Sequence, residues 1–154
     1  GSVSLGRRDR LSVLYIEHCP PRSAVALQLG IGSRLPLALS AMGRACYAAA
    51  SGEERARIDT EIQRRFPDRW PAARDGLRQA VDMHAAGGFA VSLGDWHPEV
   101  HAAGAAVVLP SGSVVGLNCG APAFTFGREK VLAEVGPRLA VVAQELRALA
   151  SGQF

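Results

Sequence analysis

Two short apolar segments near the C-terminal end of the chain constrain its fold most strongly. Residues 102–109 and 114–119 are rich in alanine, valine and glycine, and each has the length of a strand. The four residues between them, Pro110-Ser111-Gly112-Ser113, all favour turns. The pattern therefore predicts two antiparallel strands joined by a short hairpin connection.

Three further segments have strand character. Residues 10–17 are β-branched and aromatic, and they end at the turn-forming Cys19-Pro20-Pro21. In residues 24–31 the apolar side chains alternate with small or polar ones, and residues 89–93 form a short apolar run. We expect a strand in each of these segments.

The apolar period becomes helical between and after these strands. Ser40 suits an N-cap, and Ser51 with Glu54 forms a capping-box pattern ahead of a second helix, in which Ile58, Ile62 and Phe66 share one face. Pro71 suits the first turn of a third helix. Thr125 is predicted to cap a long final helix, which Pro137 interrupts. The order β-β-α-α-α-β-β-β-α predicts an α+β domain with an antiparallel sheet covered by helices.

The composition indicates one globular domain. The chain has 154 residues, 48% of them hydrophobic, with a net charge of +3. Its arginines are spread along the sequence and mixed with acids, which favours solvated faces over a nucleic-acid patch. Three cysteines without a CxxC pair favour a reduced, cytoplasmic setting, and we predict no metal or other cofactor. Gly1-Ser2 is similar to the remnant of a cleaved tag, so residues 1–6 are predicted to be a tag remnant or linker and residues 7–154 the domain.

Three ordered motifs resemble one protein family. They are GSRLPL at residues 32–37 followed by SAMGRA at 40–45, GFA at 88–90, and NCGAP at 118–122. Together they are similar to the landmarks of the effector-binding domain of bacterial IclR-type transcription regulators. The resemblance covers roughly residues 10 to 150.

The resemblance implies a GAF-like fold, in which a curved antiparallel sheet carries helices on both faces and a pocket on one. It implies an effector-sensing and oligomerisation role in place of an enzymatic one. The expected partners are a small organic acid or aromatic metabolite and further copies of the chain, as a homodimer or tetramer. Operator DNA would be bound only through an N-terminal winged helix-turn-helix domain that this chain does not contain, and no membrane partner is expected.

The residues themselves also suggest a pocket. Because side chains alternate along a strand, Ala102, Gly104, Gly116, Asn118 and Gly120 should share one face of the sheet. Their small size would leave a hollow beside one polar amide. The alternative is that these small residues merely allow a helix to pack closely on the sheet.

The segment before the first helix would close this pocket. Its N-terminal N–H groups, near Ser40, Ala41 and Met42, suit a carboxylate. Apolar contacts are expected from Leu35, Leu37 and Met42, and a further polar contact from Ser92.

Three other interpretations compete with effector sensing. A GAF-like scaffold could support a thiol enzyme using Cys119, although period two turns this residue away from Asn118. The long apolar final helix would also suit a ligand-free dimerisation module. His97 and His101 could suggest a metal site, but Pro98 between them favours a loop.

Overall fold

A computed structural model of the chain describes residues 1–22 and 27–152. Six antiparallel strands form one curled sheet in the order β3-β2-β1-β6-β5-β4. This confirms the α+β class with an antiparallel sheet. The strands are β1 (Ser2–Asp9), β2 (Ser12–Cys19), β3 (Arg34–Pro36), β4 (Ala90–Leu93), β5 (Val100–Val108) and β6 (Val114–Pro122).

The helices begin largely where the sequence predicts. Ser40 and Ser51 cap the first two helices, with their hydroxyls accepting the N–H groups of Gly43 and Glu54. Within the described residues, no helix is long and apolar enough to cross a membrane. The helices are α1 (Ala41–Ala49), α2 (Gly52–Arg65), α3 (Trp70–Gly87), α4 (Arg128–Lys130) and α5 (Gly136–Ala150), with a π-helical turn (Val131–Val135) between the last two.

The predicted start of the final helix is wrong, whereas its predicted interruption is confirmed. Thr125 is not its cap, because the helix begins after Gly127. The predicted interruption at Pro137 takes the form of the π turn, in which the Gly136 N–H donates to the carbonyl of Val131, five residues earlier. Since Pro137 has no N–H to donate, one extra residue is accommodated just before it.

Residues 1–6 are not a linker in the structure. Ser2 to Gly6 pair with Gly120 to Gly116 of β6, and the same strand pairs with β2 on its other side. Ser2 and Ser4 are buried. The sequence did not predict this central strand, because many of its residues are small or polar. Much of the apolar surface around it comes from the neighbouring strands.

The predicted strand over residues 24–31 is also wrong where it can be assessed. Residues 23–26 lie outside the described residues, and residues 27–31 form no strand. Leu29 instead donates its N–H to Leu27 two residues back, and Gly32 has a φ of +90°. The short β3 follows this irregular segment, so the alternating leucines have another role, described below.

Helices cover both faces of the sheet, as predicted. The α1 face carries α1, with α2 and α3 outside it. The α5 face carries the π turn and α5 on a wholly apolar cluster that includes Ala103, Ala105, Leu117, Val131 and Leu139. Phe66, which the sequence places on one face with Ile58 and Ile62, is instead 41% exposed, and Val142 and Leu149 of α5 are also exposed.

Candidate ligand-binding site

The face shared by Ala102, Gly104, Gly116, Asn118 and Gly120 is confirmed by the strand register. Gly104 lies opposite Asn118, Ala102 opposite Gly120, and Ala106 opposite Gly116. This face lies beneath the first turn of α1. The sequence left open whether the small residues form a hollow or allow a helix to pack closely. The structure shows both, at different positions of this face.

Two of the predicted pocket glycines serve helix packing. A Cβ atom at Gly104 would overlap the backbone of Ala41, and one at Gly116 would overlap the side chains of Met42 and Cys46. Gly6 in β1 accommodates Met42 in the same way. Gly104, Gly116 and Met42 are therefore corrected from pocket residues to the contact that fixes α1 on the sheet.

Leu37 also lies outside the predicted site. It is fully buried in a separate cluster with Tyr47, Ile58 and Leu77 on the outer side of α1. β3 ends at Pro36, so Leu37 lies beyond the strand and packs in a different cluster from Leu35. Only Leu35 of this pair remains on the cavity side.

Beyond the first turn of α1 the small residues do leave a cavity, of about 20 Å³. Such a volume holds about one water molecule. Seven predicted residues line it: Leu35, Ser40, Ala41, Ser92, Ala102, Asn118 and Gly120. Six others were not among the predicted site residues: Ser2, Tyr15, Leu27, Leu29, Trp96 and Val100.

Some of the missed residues had a detectable signal. Leu27 and Leu29 alternate in the sequence because they turn toward the cavity, although their backbone is not a strand. Ser2 and Tyr15 could be placed only once β1 was known to lie between β2 and β6.

Asn118 is the distinctive polar group of the cavity. Its side chain is 93% buried, and its Nδ2 donates to the hydroxyl of Tyr15 over 2.7 Å. Its Oδ1 has no hydrogen-bond partner among the described residues. Leaving a buried acceptor unsatisfied costs about 1–3 kcal/mol, so this atom is ready to accept a hydrogen bond from a molecule in the cavity.

Tyr15 holds Asn118 in place and stays neutral. Burial raises the pKa of Tyr15, an effect that hydrogen bonds with Asn118 and Ser4 partly offset. Ser4 in turn bonds the Nδ1 of His18 over 2.9 Å. A chain of polar groups thus fixes the orientation of the Asn118 amide from behind.

The two predicted serines, Ser40 and Ser92, are already partly engaged. The hydroxyl of Ser92 donates to the carbonyl of Leu39 over 2.6 Å, and that of Ser40 accepts from the N–H of Gly43. The first contact ties β4 to the segment before α1, and the second caps the helix itself. The first-turn N–H groups of α1 lack partners inside the helix and carry its positive dipole end, beside Ala41 at the cavity wall.

Arg44 fastens the segment that carries Trp96. Its guanidinium is almost fully buried and donates to the carbonyls of Ala38 and Val91, at 2.8 and 2.9 Å. It also pairs with Asp95 at 2.8 Å. A buried charge with three acceptors holds its neighbours firmly, so Trp96 closes the cavity from a fixed position.

The cysteines and histidines do not build a reactive centre in the described part of the chain. Cys119 faces away from Asn118, and burial raises the pKa of its thiol; burial raises that of Cys46 to about 12. His101 bonds the carbonyl of Phe126, whereas His97 accepts from the N–H of Glu99. Among residues 1–22 and 27–152, no three metal-ligating side chains cluster.

Comparisons with known proteins connect this geometry to a family. The family model described as "Bacterial transcriptional regulator IclR C-terminal" matches residues 1–148. The HTH-type transcriptional regulator TsaQ1/TsaQ2 of Comamonas testosteroni is 28% identical over 152 residues. The match covers 96% of this chain and 54% of that protein, so the chain spans about half the length of this relative.

Solved structures share the fold. The IclR family transcriptional regulator from Brucella abortus has a TM-score of 0.91 and 36% identity, covering 96% of this chain and 56% of that one. The inducer-binding domain of the PobR transcription factor from Acinetobacter, a double mutant in complex with 3-hydroxybenzoic acid, has a TM-score of 0.72 and 19% identity. That match covers 96% of this chain and 88% of the PobR chain. From its sequence match and its fold, the chain belongs to the IclR family of bacterial transcriptional regulators, as a C-terminal domain.

Proposed function

We propose that this domain senses a small organic acid, which it binds in the cavity beside Asn118 without chemical turnover. The observation that carries the proposal is the unpartnered Oδ1 of Asn118, buried at the cavity and held in orientation by Tyr15. A buried acceptor without a protein partner has a cost in stability, and a ligand that donates a hydrogen bond removes this cost.

The walls indicate the chemistry of the ligand. Asn118 offers an acceptor for a hydroxyl group, and the N-terminal turn of α1 offers positive potential for a carboxylate. Leu27, Leu29 and Trp96 provide apolar surface between these two ends. A hydroxylated aromatic acid or a short hydroxy acid satisfies all three. The 3-hydroxybenzoic acid in the PobR complex is of this class.

Such a ligand needs more room than the cavity now has. About 20 Å³ accommodates a water molecule, not an aromatic ring. The wall formed by residues 27–31 lacks strand pairing and is half buried or exposed, so it is the part able to move outward, whereas Trp96 is held in place through Arg44. A ligand that binds only this opened state shifts the domain toward it, which makes binding a signal.

A thermal-shift survey of hydroxybenzoates, short keto acids and their thioesters tests the proposal. We expect at least one acid to raise the midpoint of unfolding in a saturable way, because it binds the folded state alone. In Asn118→Leu, which keeps the side-chain volume and removes the amide, the shift should disappear.

Gln144→Leu is the matched control, since it makes the same change at an exposed position of α5. It should retain the full shift. Stabilisation that survives Asn118→Leu, or that is lost equally in both variants, would contradict binding at this cavity.

In the intact regulator we propose that the domain acts on operator DNA through an N-terminal DNA-binding domain, as a homodimer or tetramer in the cytoplasm. Exposed Val141, Val142 and Leu149 lie on one face of α5 and support association between copies. Light scattering and operator binding by the full-length protein, with and without the acid, test this. Identical mass and identical operator affinity in both conditions would contradict signalling through assembly.

A further inference from the structure

A second, much larger depression lies away from Asn118, between the β1–β2 turn and the corner where α2 meets α3. Its volume is about 850 Å³, within the range of pockets for small organic ligands. Leu11, Ile62 and Ala73 form an apolar floor, with Ile62 and Ala73 buried. We call this depression the corner groove.

The rim of the corner groove is positively charged, contrary to the sequence expectation of scattered, compensated arginines. Folding brings Arg10 of the β1–β2 turn to the same opening as Arg65 and Arg69, more than fifty residues away in the chain. None of these three forms an ion pair with a residue that the structure describes. Arg34 in the same wall is neutralised by Asp9, which leaves Asp68 as the remaining acid of the rim.

Phe66 adds an aromatic surface between two of these arginines. The sequence predicts it on the buried face of α2, but it is 41% exposed at the groove. The guanidinium carbons of Arg65 and Arg69 lie 5.6 and 6.0 Å from its ring centroid. Stacking of this kind orients guanidinium groups and keeps their N–H donors free for an anion.

Arg10 provides an independent sign of function. It has a φ of +55°, the one positive φ at a non-glycine residue in the described part of the chain. A side chain here costs about 1 kcal/mol, and glycine or asparagine would be the favoured residue. Its carbonyl accepts from Arg8 over 3.0 Å, which holds the strained turn. A positive φ is usual at the first position of a two-residue hairpin turn, here between the paired Asp9 and Ser12, so the informative feature is that this position carries arginine in place of glycine or asparagine.

We propose that the corner groove binds a second small ligand, an organic anion with a flat apolar body. Its carboxylate or phosphate would be held by Arg10, Arg65 and Arg69, and its apolar body would lie on Phe66 and Ile62. The site is independent of the cavity beside Asn118. The two are separated by the segment before α1, since Ala38 and Leu39 line the groove and Ser40 and Ala41 line the cavity.

The test is an NMR titration of the Asn118→Leu protein, in which the cavity site is removed, with phenyl phosphate, benzoate and neutral benzyl alcohol. We expect saturable shifts of the Phe66, Arg69 and Leu11 amide signals with an anion and none with the alcohol. Comparing the two anions separates a phosphate from a carboxylate preference. The same titration of the unsubstituted protein keeps this result distinct from failure of the cavity proposal.

The variant Arg10→Gly distinguishes a loss of anion binding from a loss of folding stability. It removes one cation and relieves the turn, so it should unfold at an equal or higher temperature while binding the anion about tenfold more weakly. The double variant Arg65→Gln, Arg69→Gln should abolish binding. Arg138→Gln, an exposed arginine on α5, should bind normally.

Unaltered binding in the double variant, or equal shifts with benzyl alcohol, would overturn the proposal. A change in the sedimentation coefficient of the double variant, with no anion bound by the parent protein, would also overturn it and assign the groove to a subunit contact.

Discussion

The two faces of β5 and β6 are built from the same two strands, yet they differ in kind. The α5 face has an apolar core, with Leu117, Ala103 and Ala105 packed against α5 and the π turn, and His101 at its edge bonds the carbonyl of Phe126. The α1 face carries glycines that allow α1 to pack closely and, directly opposite Gly104, the buried amide of Asn118 with its unpaired oxygen. Alternation along one pair of strands therefore separates the residues that stabilise the fold from those we propose to bind a ligand.

The largest effect is expected from a substitution on the α5 face, which tests whether the two faces act separately. Leu117→Ala removes a nearly fully buried side chain and should lower the free energy of unfolding by about 3 kcal/mol. If the faces are independent, acid binding measured by calorimetry at low temperature should remain unchanged. Weakened binding in the folded variant would show that the α5 face also shapes the cavity.

A smaller loss is expected from Gly104→Ala on the α1 face. The added methyl overlaps the backbone of Ala41, which should cost about 2 kcal/mol in denaturant unfolding and displace the start of α1. Here acid binding should weaken together with stability. Gly52→Ala, whose new methyl meets no atom within 4 Å, is the control and should lose neither. If both variants have the same stability and bind the acid equally, the packing role of Gly104 is contradicted.

The smallest effect concerns the thiols on the two faces. Burial raises the pKa of both Cys46 and Cys119, so a smaller fraction of each is thiolate at pH 8 than in an exposed cysteine. For Cys46, with a pKa of about 12, this fraction is only about one part in ten thousand. Iodoacetamide followed by mass spectrometry should label exposed Cys19 first and Cys46 last. Rapid labelling of Cys119 would revive the thiol-enzyme interpretation.

The sequence predicted those parts of the fold that depend on local patterns. Period two correctly set Asn118 and Cys119 on opposite faces, and the caps at Ser40 and Ser51 followed from short-range hydrogen bonding. It missed β1 because Ser2 to Gly6 have little apolar character of their own. Their burial comes from the strands on either side.

The sequence predicted which face of the sheet carries the candidate site, but not which residues on that face line the cavity. Whether a glycine admits a helix or borders a hollow depends on where α1 crosses the strands, which divides Gly104 from Gly120. The corner groove was beyond prediction, because Arg10 and Arg69 meet only after folding. The exposed position of Phe66 likewise results from the turn between α2 and α3, not from its place in the helical pattern.

The central claim is that a ligand enters beside Asn118 and satisfies its free oxygen. The most direct measurement follows the side-chain amide signals of Asn118 and the indole signal of Trp96 by NMR while the most stabilising acid is added. The account predicts that both signals shift and saturate together, while the amide of Leu117 on the opposite face stays in place. Saturating binding that leaves Asn118 and Trp96 unchanged would contradict it.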